Sequence, residues 1–202
     1  MKRHTFFSVG TFLLFFLFLF QNFFDLQAAI FTVQNGQSIQ AAIDSAQNGD
    51  KIVVFGGTYT EALSIRGKNI KLVGKNNPVL DCQNNHRILY MDNQVGGYVI
   101  TDQTKIKGFT FRQARINKSQ ARGAAVLITN GASPKFVRCV FERNYSALDG
   151  GAVAILERSQ ARFESCTFHL NQSWRMGGAI FNHDASPIFV DCVFTNNSAS
   201  GK

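Results

Sequence analysis

Apolar and polar positions in this chain repeat with one long period. From Phe136 onward the same arrangement occurs three times: Phe136, Cys139, Phe141 and Asn144; Phe163, Cys166, Phe168 and Asn171; Phe189, Cys192, Phe194 and Asn197. At one fixed offset after the first two copies come Gly150-Gly151-Ala152-Val153 and Gly177-Gly178-Ala179-Ile180. The spacing is 26 or 27 residues. A unit this short cannot bury its own apolar face, so the pattern predicts a solenoid in which each coil packs on its neighbours. Within a copy, alternation places Val137, Cys139 and Phe141 on one face of one strand, read as interior, with Cys166 and Phe168, and Cys192 and Phe194, in the same places. Each Asn falls at the turn after the strand, where it tolerates a left-handed backbone and can bond to the Asn of the next coil. The glycine pairs mark corners leading into the next strand.

The upstream chain carries shorter signals. Ile30–Val33 reads as a strand. Ile39, Ala42, Ile43 and Ala46 form a single stripe, which predicts a three-turn amphipathic helix over 38–47, stopped by Asn48-Gly49-Asp50. Short apolar runs follow at 51–55, 63–65, 70–74 and 79–82, separated by Gly/Asn turns, among them Gly56–Tyr59. This suits a coiling parallel sheet. Runs at 88–91 and 98–101 read as strands, with turns at Asn84-Asn85 and Gly96-Gly97. Residues 106–114 are a degenerate fourth copy, with Phe109 in the cysteine slot, Phe111 in the Phe141 slot and Ala114 in the asparagine slot. Gly123-Ala124-Ala125-Val126 then arrives three residues late, an insertion expected around 116–121. The expected organisation is an all-β fold, a parallel β-helix closed at its N-terminal end by an amphipathic helix. Residues 30–202 form that domain, with cap and first coils over 30–82 and repeats of 26–30 residues over 106–202.

Residues 1–29 have another character. Lys2 and Arg3 precede an apolar run from Phe12 to Phe20, and Ala28-Ala29 offers small residues for cleavage, the layout of a secretory signal peptide. This predicts export, to the extracellular space or an outer-membrane surface, with no membrane span in the mature part. The net charge is +8 without any run of like charges, which argues against a nucleic-acid-binding arm and leaves an acidic polysaccharide or a cell surface as a partner. Cys139, Cys166 and Cys192 would stack with parallel side chains, a poor geometry for disulfides, so they read as buried free thiols. No paired C-x-x-C occurs, and neither a metal nor a cofactor is expected. Since the next glycine pair would fall just past Lys202, the spacing predicts a C-terminally truncated solenoid.

The opening segment carries a resemblance. Gly49-Asp50, Ile52–Val54, Gly57-Thr58-Tyr59, Glu61, Leu63, Ile65, Asn69-Ile70, Leu72 and Gly74 resemble the first coil of the right-handed parallel β-helix, or pectin-lyase-like, superfamily, with Gly56 where Pro is usual. The Gly-Gly-Ala-Ile/Val and Phe-x-x-Asn repeats are similar to those of polymorphic outer-membrane proteins, which are autotransporter adhesins. The resemblance implies a right-handed coil, a helical cap and a surface-exposed passenger or adhesin that binds through its outer face.

The superfamily also contains polysaccharide lyases and glycoside hydrolases, whose acid/base chemistry needs clustered carboxylates. Glu157 and Asp184 occupy equivalent positions in adjacent coils, flanked by Arg158 and His183, and are the weak catalytic candidates; because no third carboxylate joins them, solvated turn residues explain them better. Arg138 and Asp191 share another slot, and Glu142 stacks on His169. His86 and Arg87 have no partner assignable from spacing. Asn117, Asn144, Asn171 and Asn196 open N-x-Ser triplets, but the repeat phase favours a structural ladder for Asn144 and Asn171. The balance is against an enzyme, with a structural stalk as a further alternative.

Overall fold

The structure, a computed structural model, describes residues 27–93, 99–117 and 122–201. The expected leader therefore lies outside the described residues up to position 26, as do the Gly96-Gly97 turn, Tyr98 and residues 118–121 of the insertion. No helix among the described residues is long and apolar enough to cross a membrane.

The fold is an all-β, right-handed parallel β-helix. Its strands fall into four parallel sheets. A seven-stranded sheet runs from Ile30–Val33 to Ile188–Val190, a six-stranded one from Thr58–Tyr59 to Val193–Thr195, a five-stranded one from Leu63–Arg66 to Ile180–His183, and a four-stranded one from Arg115–Ile116 to Ser198–Ala199. These are called the first, second, third and fourth sheets below. One coil contributes Lys135–Val137 to the first, Val140–Glu142 to the second, Tyr145–Ser146 to the fourth and Val153–Leu156 to the third.

That coil corrects the reading of Val137, Cys139 and Phe141 as one strand, since Lys135–Val137 and Val140–Glu142 are separate strands. Arg138 takes a left-handed backbone (φ 50°), as do its stacked equivalents Ser165 (φ 51°) and Asp191 (φ 50°). The corner breaks the alternation. Phe136 and Phe163 therefore turn inward beside Phe141 and Phe168, all fully buried, and Val137 is only partly covered. Two aromatic columns result. In one, Phe111, Phe141, Phe168 and Phe194 stack with centroids 4.7–4.8 Å apart. In the other, Phe136, Phe163 and Phe189 stack at 5.0 and 5.3 Å. Within a coil the columns meet edge-on, as Phe136 does with Phe141 at 5.9 Å. Both geometries suit the ring quadrupole.

The helix is also shorter than its stripe predicts. α1 spans Ile39–Ser45 and buries Ile39 and Ile43 over the first coils. Ser38 caps it by accepting from the Ala41 amide, and Glu61 accepts from the Ile39 and Gln40 amides. At the other end Lys68 Nζ donates to the carbonyls of Ile43 and Ala46, and Asp50 accepts from the Gln47 amide, pulling the chain out of the helix. Val99–Thr101 is not a strand either. Asn93 Oδ1 accepts from the Ile100 amide and Asn69 Oδ1 from the Thr101 amide, so side chains replace the ladder there. Thr58–Tyr59, expected as a turn, is a short strand of the second sheet.

The asparagines join coil to coil. Asn171 Oδ1 accepts from both the backbone amide and the side chain of Asn144, and Asn171 Nδ2 donates to the Phe141 carbonyl. Asn197 does the same for Asn171, and Asn144 accepts from the Ala114 amide. These bonds span 30, 27 and 26 residues in succession, so they absorb the insertion before Gly123 and keep register. Asn144 and Asn171 are buried with both amide atoms engaged, which leaves no free Nδ2 for a glycan at either site. The glycine pairs divide two tasks. Gly150 (φ 68°) and Gly177 (φ 67°) supply a left-handed corner, whereas a Cβ on Gly151 would run into the Gly178 and Gln172 carbonyls.

The four cysteines are free. Cys139, Cys166 and Cys192 each donate to the carbonyl two residues back and to one in the preceding coil.

Replacing Asn171 by Ala strips partners from the Asn144 amide and the Phe141 carbonyl, at about 1–3 kcal/mol for each buried group. Urea unfolding of Asn171→Ala should therefore show a loss of about 2–6 kcal/mol, against under about 0.5 kcal/mol for the exposed neighbour in Gln172→Ala.

Candidate functional site

The coil interior is filled by rings, asparagines and thiols, so the outer corners carry whatever chemistry remains available. The corner between the third and first sheets brings Glu157 and Asp184 together. Both take left-handed backbones (φ 53° and 50°), the Glu157 amide donates to the His183 carbonyl, and the Arg158 amide donates to the Asp184 carbonyl. With Asn93, Val99, Asn130, Gly131 and Arg158 they line an open groove of about 500 Å³. Glu157 accepts from the Thr129 hydroxyl at 2.6 Å. Asp92, buried nearby, accepts from the Asn130 amide and the Tyr90 hydroxyl. His183 is exposed and outside the groove lining, its ring 6.4 Å from that of Phe181. Among the described residues no three His, Cys, Asp or Glu side chains group closely enough to hold a metal ion.

A second assembly lies where the fourth sheet leads into the third. Asp149 is fully buried and holds the slot between Arg122, one coil below, and Arg175, on the coil above. Its Oδ1 accepts from Arg175 Nε at 2.8 Å and from the Met176 amide. Its Oδ2 accepts from Arg122 Nε at 3.0 Å and from Arg175 Nη2. Burial acts to raise the Asp149 pKa, but the hydrogen bonds from Arg175 and then Arg122 outweigh it and hold the carboxyl below its ordinary range. Arg122 also lies over the Phe181 ring at 5.5 Å, and Arg115 over the Tyr145 ring at 4.4 Å. Trp174, next to Arg175, is 52% exposed.

Other ionisable groups are engaged locally. Glu164 pairs with Lys135 and Arg162, whose hydrogen bonds lower its pKa, and Arg112 pairs with Asp81. Glu142 and His169 sit in register, and His169 contacts Thr195. His86 and Arg87 do find partners. His86 Nδ1 lies 3.0 Å from Cys82 Sγ, and Arg87 donates to the Gly123 and Arg122 carbonyls across 36 and 35 residues. Burial and the neighbouring Asp81 push the Cys82 thiol up to about 12, so this pair holds a thiol and not a nucleophilic thiolate.

The cluster around Asp149 has little signature in the sequence. Arg122, Asp149 and Met176 each precede the corner glycine of their coil (Gly123, Gly150 and Gly177), but the slot holds a different residue type each time. The one available clue is a lone carboxylate beside the invariant corner of the repeat.

A carboxyl held low in the folded state stabilises the fold above its unfolded pKa of about 3.9, and that contribution is lost as pH falls through the lower folded value. Thermal unfolding should therefore show stability lost with acid below about pH 4. Asp149→Asn should lower stability at neutral pH and weaken that acid dependence; an unchanged acid limb in the variant would contradict the assignment.

No curated protein matches the chain, and no solved structure does. The family model described as the right handed beta helix region matches residues 61–202, well over half the chain. With four parallel sheets coiled about one core, the chain belongs to the right-handed β-helix family.

Proposed function

We propose that this is an exported, non-catalytic β-helix protein of the adhesin or autotransporter-passenger type, which binds a carbohydrate or a cell surface through its outer face. One observation carries the reading: four carboxylates along the coils, two of them buried, are tied to cations or a hydroxyl. Asp149 and Glu164 are both held low, Asp81 is paired with Arg112, and Glu157 is bonded to Thr129. General acid catalysis needs a carboxyl raised toward neutrality, which burial beside a like charge would supply. Export rests on the Lys2-Arg3 and Phe12–Phe20 leader pattern.

The groove lined by Glu157, Arg158 and Asp184 favours a second reading, a polysaccharide lyase or glycoside hydrolase acting on an acidic polysaccharide. The two separate in one assay. The purified protein, incubated with polygalacturonate and other acidic polysaccharides with and without Ca²⁺, should release neither unsaturated uronides nor reducing ends. It should also bind whole cells equally well as wild type and as Glu157→Gln or Asp184→Asn. Release that disappears in Glu157→Gln would establish the enzyme instead.

A further inference from the structure

We infer that Arg122 and Arg175 form a binding site for the sulfate or phosphate esters of an acidic polysaccharide. This rests on the outer-face binding reading and names its ligand. The two guanidinium groups meet on one oxygen, Asp149 Oδ2, which places their donor nitrogens within about 6 Å of each other. Two cations held this close repel, and here a single carboxylate serves both. An external oxyanion would complete the balance.

The geometry of the pair also leaves room for one. Arg122 engages Asp149 through Nε alone, and both arginine side chains remain 37% exposed while Asp149 is sealed beneath them. The buried acid thus acts as a foundation. It fixes two guanidinium groups from different coils before any ligand arrives, which removes part of the ordering cost of binding. Guanidinium forks match tetrahedral ester oxygens through paired hydrogen bonds.

The surroundings favour a sugar as carrier. Phe181 lies under Arg122, 5.5 Å from its guanidinium carbon, and Trp174, next to Arg175 in the chain, is exposed. Such rings give an apolar platform for the face of a sugar next to the ester. Arg115, over the Tyr145 ring of the neighbouring coil, adds a cation on the fourth sheet, which leads into this corner. A polymer with repeated esters would span these positions.

The test is a titration of the full chain with dextran sulfate, phosphomannan, neutral dextran and duplex DNA at about 0.1 M salt, where exposed charges are screened beyond about 10 Å. At least one of the two ester polymers should bind and neutral dextran should not. Arg122→Gln and Arg175→Gln should each weaken binding about tenfold, the size of one charge-assisted hydrogen-bonding group. Arg175→Lys, which keeps charge but loses the fork, should weaken it too. Lys75→Gln, an exposed charge elsewhere, should leave it unchanged, with circular dichroism confirming the fold of every variant. Equal losses from Lys75→Gln, or DNA binding of the same strength and the same variant dependence, would overturn the site as a glycan-ester site. Failure to bind either ester polymer with cell binding intact would overturn this inference alone, and loss of cell binding as well would overturn the outer-face reading beneath it.

Discussion

The constraint on which this structure depends is that a buried carboxamide must find its partners in the next coil. Asn144 and Asn171 have no water to turn to, and an unmatched buried polar group costs about 1–3 kcal/mol. Each satisfies the backbone of one coil and the side chain of its neighbour, so a slip of a single residue would break several bonds together. Hydrophobic burial drives the coils together but is tolerant of register; the Asn ladder is not. Once it is set, the phenylalanine rings fall into parallel stacks and the thiols into a hydrogen-bonded file without further specification.

A ladder that fixes register through the interior frees the exterior. Corner residues at equivalent slots differ widely in type, as with Arg138, Ser165 and Asp191, or Arg143, Leu170 and Asn196, though all share one left-handed backbone. Non-glycine residues pay a conformational cost there of about 1–2 kcal/mol each, which is sustained because stacked neighbours hold the corner on both sides. The variety at these corners is where coils of identical architecture acquire different chemistry. Asp149 illustrates it: a fully buried carboxylate, costly by itself, is matched by two guanidinium groups that the coil repeat brings from opposite sides.

The repeat made the class of fold, the position of the insertion and the ladder of asparagines legible in the sequence, because each depends on residues that recur at fixed spacing. What it concealed follows from the same logic. The inward turn of Phe136 depends on a left-handed corner at Arg138, and arginine carries no such signal. The truncation of α1 depends on Lys68 and Asp50, partners that compete for the last turn from outside the stripe. The Arg122–Asp149–Arg175 assembly depends on stacking residues of unlike type, which no periodicity search selects. Glu157 and Asp184 were found by equivalence of position, and equivalence brought them together, but His183 faces elsewhere because it lies on the strand and not at the corner.

We propose a division of labour in which residues that recur build the solenoid and residues that vary at its outer corners bind. Hydrogen exchange of the protein with and without saturating dextran sulfate tests this most directly. The Asn144 and Asn171 amides should exchange only through global unfolding in the free protein, and ligand should slow exchange locally at Gly123 and around Arg175 and Met176. Protection centred on the groove of Glu157, Arg158 and Asp184, or rapid local exchange at the Asn144 and Asn171 amides, would contradict it.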